Sequence, residues 1–383
     1  MTGPDHGPLR AQELTMSPAE TGRPAYPLTR TTGPVPEEAR RDILSDPGFG
    51  KHFTDHMATA VWTPDNGWHE RRVEPLAPYS LHPSAAVLHY AQEIFEGLKA
   101  YRHADGSIWL FRPGFNARRF ARSAERLALP QLPEEDFLTS VEELVRADRA
   151  WVPEAEGEGS LYVRPFMFAS EAFLGVRPAE HVTYSVIAGP AGPYFSGGVT
   201  GITLWVSGEY TRAGRGGTGA AKCGGNYAGS LAAQMEARRN GCDQVLYLDD
   251  TGGDGNLEES GTMNLFVVTS AGELVTPGLG TILDGLTRDT VLALADDFDL
   301  TPVERPFSLT DLRNGAADGT VTEVFAAGTA AVITPITAFK SPTADFTVGN
   351  ATPGKHTLAI REHILDIQYG RTPDTHGWLH RVV

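Results

Sequence analysis

Apolar positions along the chain change period several times, and the changes outline its elements. Residues 58–62 and 68–73 read as two strands joined by a PDNG turn at 64–67. A short apolar strand at 107–111 precedes a helix that opens at Pro113, carries Phe120, Ala124 and Leu127 on one face, and stops at Pro130. A second helix, from Glu134 to about Trp151, places Phe137, Val141, Leu144 and Val145 at helical spacing behind an acidic first turn. Buried strands follow at 161–168 and 183–188, and GPAGPYFSGGVTG at 189–201 interrupts every period. Beyond it, strands are expected at 202–206, 244–248, 264–269 and 273–276. A helix is expected at about 226–240, capped by Asn226, with Leu231 and Met235 on one face and Gly241 as its stop. Another helix opens at Thr287, two apolar strands fill 321–336 around Gly328 and Thr329, and a last helix covers 356–369.

This alternation predicts an α/β chain with α+β-like mixed sheets in two domains. The expected division is a flexible or draped N-terminal arm at 1–40, a smaller α/β domain at 41–188, a linker at 189–201 and a larger domain at 202–383. A length of 383 residues suits about two domains of ordinary size. The formal charge of -16 argues against a broad nucleic-acid or anionic-membrane surface, while leaving room for a local basic pocket. Cys223 and Cys242 form neither a CxxC nor a metal-ligand cluster. The opening MTGPDHGPLRAQ has no basic start followed by an apolar run, and no segment approaches about 18 uninterrupted apolar residues, so a cytoplasmic protein is expected.

The chemistry centres on GRGGTGAAKCGGNYAGSLAAQMEA at 214–237. Lys222, one of five lysines, stands there among small residues that let a bulky partner approach its amine. Desolvation in such a place favours the neutral, nucleophilic form. Three cofactor readings are open. Gly214, Gly216 and Gly219 fit the G-x-G-x-x-G spacing, although the following lysine and irregular strand-helix order fit it poorly. A phosphate-binding P-loop fails, because Ala221 and Cys223 flank Lys222 where Gly and Ser/Thr are required. The third is a lysine that holds pyridoxal phosphate as a Schiff base. That cofactor needs main-chain N–H groups at a helix start, which Gly285, Leu286 and Thr287 can supply, and a cation, for which Arg119 is a candidate. Glu259, before the Ser260-Gly261-Thr262 turn, is available for the pyridine nitrogen, and Tyr227 for the phenolic oxygen. The neighbouring carboxylates Glu258 and Glu259 should face opposite ways on a strand, which disfavours glycoside chemistry. His52 and His56 have i, i+4 spacing but lack the glutamate of a zinc-protease motif and read as structural.

AAKCGGNYAGSLAAQMEA around Lys222, LEESGTMNLFVV around Glu259, LDGLTRD at 283–289, AAGTAAVITP at 326–335 and IFEGLKAYR at 94–102 resemble the branched-chain amino-acid aminotransferases. FGKHFTDHMATAVW at 49–62 and LHPSAAVLHYAQ at 81–92 are similar to the branch that includes the eukaryotic enzymes. The resemblance implies a two-domain, fold-type-IV pyridoxal-phosphate enzyme with D-amino-acid aminotransferase-like architecture. It implies amino-group transfer between leucine, isoleucine or valine and 2-oxoglutarate, with glutamate and 2-oxo acids as partners, in branched-chain amino-acid biosynthesis. Lys222 would be the Schiff-base lysine and proton carrier, Tyr227 would bond the phenolic oxygen, and Glu259 would hold the pyridinium. Arg119, Thr262, Leu286, Thr287 and Thr329 would bind the cofactor, chiefly its phosphate. The Thr329-Ala330 turn, Tyr90 and Arg164 would receive the substrate carboxylate, and Phe49, Phe95 and Tyr162 would wall an apolar pocket. A homodimer is implied as well, since the family's pocket borrows residues from a second subunit. The CxxC of some mammalian members is absent here, Ala331 and Thr334 standing at those positions. A D-amino-acid aminotransferase or a 4-amino-4-deoxychorismate lyase of the same fold is the alternative.

Overall fold

The computed structural model describes residues 23–155, 157–193, 198–249 and 255–383. Helix α1 (Glu37–Ser45) is followed by β1 (His56–Thr63) and β2 (Gly67–Pro75), which meet across the PDNG turn, then α2 (Ala86–Tyr90) and β3 (Glu93–Phe95). Next come β4 (Leu98–Arg102), β5 (Ile108–Phe111), α3 (Pro113–Arg126), α4 (Glu134–Ala147), β6 (Ser160–Ala169) and β7 (Val182–Ala191). The second half begins with β8 (Ile202–Val206), α5 (Gly224–Gly229), α6 (Leu231–Arg239), β9 (Gln244–Leu248), β10 (Leu257–Ser260), β11 (Met263–Thr269) and β12 (Glu273–Thr276). It ends with α7 (Leu286–Ala293), β13 (Thr301–Glu304), α8 (Leu309–Asp318), β14 (Val321–Gly328), β15 (Val332–Lys340), β16 (Phe346–Thr347), α9 (Lys355–Gln368) and β17 (Leu379–Arg381).

The first sheet runs β17-β5-β4-β6-β7-β1-β2, with β3 also on β6, and every pairing is antiparallel. Helices α3 and α4 cover one face. Pro113 opens α3 because a first-turn proline costs no hydrogen bond, and the helix buries Ala117, Phe120 and Ala124. Phe120 meets Phe137 of α4 and Tyr184 of β7 at ring separations of 5.5 and 5.7 Å. Each such fully buried side chain contributes on the order of 1.5–3 kcal/mol. The second sheet runs β10-β9-β8-β15-β14-β11-β12-β13, and β10 also pairs with β11, so the strands from β10 to β11 close into a ring. Tyr101 and Phe111 of the first sheet share an apolar cluster with Phe266, Phe325 and Ile364, which binds the two halves together.

Several details refine or depart from the sequence expectation. Of the two forms expected for the arm, residues 23–36 take the draped one, lying on the first sheet with Tyr26 buried and Leu28 bridging Val73; residues 1–22 lie outside the described residues. Strand β7 reaches Ala191, three residues into the expected linker, because Ser160 and Leu161 still offer it partners; residues 194–197 of that linker are likewise outside the description. Although β17 belongs to the C-terminal part of the sequence, it pairs with β5 at the edge of the first sheet. The single helix expected at 226–240 is two, α5 and α6, meeting at Ser230. Leu231 and Met235 face solvent there, and the buried face is the small pair Ala233 and Ala237. His56 starts a strand rather than sharing a helix with His52; its Nδ1 lies 2.6 Å from Asp148, and Thr31 N–H donates to its Nε2 at 3.0 Å.

Glu142 of α4 ties both ends of the described chain to this framework. It pairs with Arg23 near the start, with Arg146 at 2.8 Å, and with His380 of β17 at 2.9 Å. Burial alone would push its pKa up, but the bonds from His380 and Arg23 and their charges bring it down from 4.5 to about 2. A depressed carboxylate stabilises the folded chain fully above the ordinary glutamate pKa, and that contribution disappears as pH falls through about 2. Urea unfolding between pH 2 and 7 is therefore expected to show wild type losing its advantage over Glu142→Gln as acidity rises; a constant gap would remove Glu142 as the cause.

Candidate active site

Lys222 is carried to the seam between the two sheets by bonds to its main chain. Its N–H donates to Ser123 Oγ of α3 at 2.9 Å, and its carbonyl accepts from Phe95 N–H of β3 at 3.0 Å. Glu93, also on β3, accepts from Gly224 N–H just past the lysine, which fixes the start of α5. Asn226 does not cap that helix. Its amide instead donates to the carbonyls of Thr218 and Ala221 at 2.8 and 2.9 Å, folding the glycine loop back on itself. The lysine side chain is half-buried, its Nζ donates to Tyr227 Oη at 2.7 Å, and it lies 4.7 Å from the Phe95 ring centroid.

Around this amine lies a cavity of about 220 Å³ between the sheets. Phe49, Phe95 and Tyr162 line one side, with Phe49 edge-on to Tyr162 at 5.0 Å. Arg164 lies 4.8 Å from the Phe95 ring centroid and bonds Tyr162 Oη at 3.1 Å. Gly97 is needed here, since a Cβ would collide with that hydroxyl. Thr262, Leu286, Thr287, Thr329 and Ala330 complete the wall together with Arg119. Among the described lining residues the ionisable side chains are Lys222, Arg119, Arg164 and the tyrosines 162 and 227, and none is a carboxylate. In a chain with a formal charge of -16, this concentration of cations marks an anion site.

Two carboxylates stand just behind the wall, and one of them, Glu96, holds a wall cation. Glu96, fully buried, receives Arg119 Nε at 2.7 Å and Nη2 at 2.8 Å, while Arg119 Nη1 donates to the Asp284 carbonyl at 2.9 Å. Burial would raise the pKa of Glu96, but Arg119, with help from Lys222 and Asn116, reverses the shift and keeps it below the usual range. Glu259 does not line the cavity. It accepts from Leu283 N–H at 3.0 Å and Asn264 Nδ2 at 3.1 Å, both cavity residues, and forms an ion pair with Arg212. Burial pushes its pKa up, and the charge of Arg212, the Leu283 N–H and the charge of Lys222 only partly offset this. Glu258, next along β10, faces away and accepts from Thr281 Oγ1 at the edge of a larger hollow of about 500 Å³ that Lys222 does not reach. Tyr90 is not brought to the cavity either; it stands exposed on α2.

The residues present fit pyridoxal phosphate. Helix α7 begins at Leu286 after Gly285 with no side-chain cap among the described residues, and Leu286 and Thr287 both face the cavity. Those unclaimed donors, at the positive end of the helix dipole and beside Arg119, suit a dianionic phosphate. Gly285 lets the helix start pack against Asn264, with which a Cβ there would collide. The family described as amino-transferase class IV matches residues 93–339. The chain belongs to the class IV aminotransferases. A branched-chain-amino-acid aminotransferase of Mycolicibacterium smegmatis is 51% identical over 361 residues, 93% of this chain and 98% of the relative. One of Mycobacterium tuberculosis is 50% identical, covering 94% and 99%. Among solved structures, the Escherichia coli branched-chain amino acid aminotransferase superposes with a TM-score of 0.70 at 28% identity, covering 85% of this chain and 100% of that one. That of Thermobaculum terrenum in its PLP-form gives 0.67 at 25% identity, covering 85% and 98%.

Within this class IV aminotransferase, two supporting residues escaped the sequence reading. Glu96 offered a signal, because a carboxylate inside the apolar run IFEGL demands a partner. Arg212 offered less. It lies ten residues before Lys222, and only the folded loop, in which Arg212 Nη1 also donates to the carbonyls of Gly219 and Thr281 at 3.0 and 2.9 Å, brings it against Glu259.

Proposed function

We propose that this class IV aminotransferase transfers the amino group between branched-chain L-amino acids (leucine, isoleucine and valine) and 2-oxoglutarate, with bound pyridoxal phosphate. The observation that carries this reading is the cavity itself: a lysine amine, two arginines, helix-start N–H groups and an aromatic wall with no carboxylate among its described lining residues. Relatives 51% and 50% identical over nearly the whole chain bear the branched-chain name, which favours this reading over the D-amino-acid aminotransferase and lyase alternatives.

When bound, pyridoxal phosphate supplies an aldehyde that condenses with amines and a ring that takes up the electron pair left by a departing α-proton. Lys222 would hold its carbonyl carbon, and Arg119, Leu286, Thr287, Thr329 and Thr262 its phosphate end. Tyr227 Oη accepts from Lys222 Nζ, and the amine so held would take a proton from the substrate α-carbon and return it. Glu259, itself fixed by Arg212 and Asn264, would hold the ring nitrogen's proton. Phe49, Phe95 and Tyr162 would favour an aliphatic side chain, while Arg164 would supply the polar group that a glutamate side chain requires. The Thr329-Ala330 turn would receive the substrate's α-carboxylate through its N–H groups.

A homodimer in the cytoplasm completes the reading. Tyr90 stands exposed away from its own cavity, which suits delivery to the cavity of a second copy. No helix among the described residues is long and apolar enough to cross a membrane. Purified protein is expected to run at twice its chain mass and to convert leucine with 2-oxoglutarate in a coupled assay. Inactivity with leucine, isoleucine and valine alike would overturn the assignment.

A further inference from the structure

Lys99 of β4 reaches across the seam to the turn between β14 and β15, where its Nζ donates to the carbonyl of Ala330 at 2.8 Å. Among the described residues its half-buried ammonium forms no ion pair within 4 Å and is held by the Ala330 carbonyl instead. Burial holds its pKa down at about 8, with Glu158 pulling it up and Arg361 pulling it down from their own pair at 2.6 Å, so the amine still carries its charge at neutral pH. Across the sheet Lys99 is the register partner of Tyr162, a cavity residue, which places both on the same face.

The turn that Lys99 touches is held in an uncommon shape. Gly328 and Val332 close the hairpin, leaving Thr329, Ala330 and Ala331 as a three-residue loop. Val332 has φ +62°, a left-handed conformation that in such loops normally falls to glycine and that crowds a β-branched side chain. Conformations of this kind persist where their surroundings over-determine them. In a trans peptide the C=O and N–H point opposite ways. Holding the Ala330 carbonyl toward β4 therefore aims the N–H of the same peptide, that of Ala331, away from Lys99, and Ala331 lines the cavity.

We propose that Lys99 is a positioning residue for substrate recognition: its ammonium orients the Ala330–Ala331 peptide, so that the turn presents its N–H groups to the substrate's α-carboxylate. This rests on the transaminase reading and adds to it a residue that touches neither cofactor nor substrate. Calorimetric titration of the holoenzyme with 4-methylpentanoate and with the uncharged 4-methylpentanamide separates recognition from general damage. Lys99→Met should weaken the carboxylate about ten-fold, the scale of one charge-assisted hydrogen bond, and leave the amide within about two-fold. The leucine KM should rise in parallel with little change in kcat, and Lys99→Arg, which keeps charge and donor, should restore both. Should Lys99→Met not fold, Lys99→Gln, too short to reach Ala330, decides by the same titrations. Unchanged carboxylate affinity in the variant, or equal loss of both ligands, overturns the proposal. A wild-type holoenzyme that neither binds 4-methylpentanoate nor turns over leucine would overturn the transaminase reading along with it.

Discussion

Lys222→Ala is expected to leave a folded chain whose transamination of leucine is slower by about four orders of magnitude or more, the upper range for one positioned acid-base group. Folding should survive because the bonds that place this residue, to Ser123 and Phe95, come from its main chain and persist in alanine. What disappears is the amine between Tyr227 and Phe95, and no second lysine can replace it, since Lys99 is committed to the Ala330 carbonyl. Absorbance spectra should show that added cofactor no longer acquires the yellow colour of a lysine-held aldehyde, while circular dichroism stays as in wild type. Retained colour with full turnover would mean that another group holds the cofactor.

Glu259→Gln should be the second most damaging change, and it should act in two separable ways. Glutamine is nearly isosteric and keeps an oxygen for Leu283 N–H, yet it cannot hold a proton on a ring nitrogen by charge, so kcat should fall about 10²- to 10³-fold, as when one preorganised electrostatic group is lost. The substitution also strands Arg212, whose side chain is only 7% exposed. Breaking a buried ion pair from one side costs about 3–5 kcal/mol in general. The loss here should fall below that range, because Arg212 Nη1 keeps the carbonyls of Gly219 and Thr281. Single-turnover kinetics beside thermal melts of the holoprotein would separate the two effects. Wild-type turnover in this variant would take Glu259 out of the chemistry and leave it a structural partner of Arg212.

Much of this was legible because periodicity and punctuation agree over long stretches. Strands β1 and β2 around PDNG, α3 between Pro113 and Pro130, and β14 and β15 around Gly328 each show a clean period with a clear break. What escaped was decided by contacts distant in sequence. The opposite facing of Glu258 and Glu259 on a strand was legible at 257–260, but not its burial, which Arg212 and Thr281 make possible by partnering the two carboxylates. Helix α8 had a signal that went unread, the capping box of Ser308 with Asp311. Asn226 looked like a cap on residue type alone, whereas its amide serves the loop that presents Lys222. Among the site residues, the lysine, tyrosine, Arg119 and the α7 start could be named from motifs. Glu96 pairs with Arg119, Arg212 with Glu259, and Lys99 with the Ala330 carbonyl, and one-dimensional spacing does not name such distant partners.

The placement of β17 sets an order on the chain's maturation. Strand β5 lacks its outer neighbour until residues 379–381 have emerged from the ribosome, and Val382 and Val383 then exchange main-chain bonds with Ile108. Until that moment the newly made first half presents a bare edge of apolar strand, ready to pair with another nascent copy. Joining the late segment to the early sheet makes this enzyme's first half dependent on synthesis of the second, and a ribosome that stalls before Leu379 would release a product prone to clumping rather than a small stable domain.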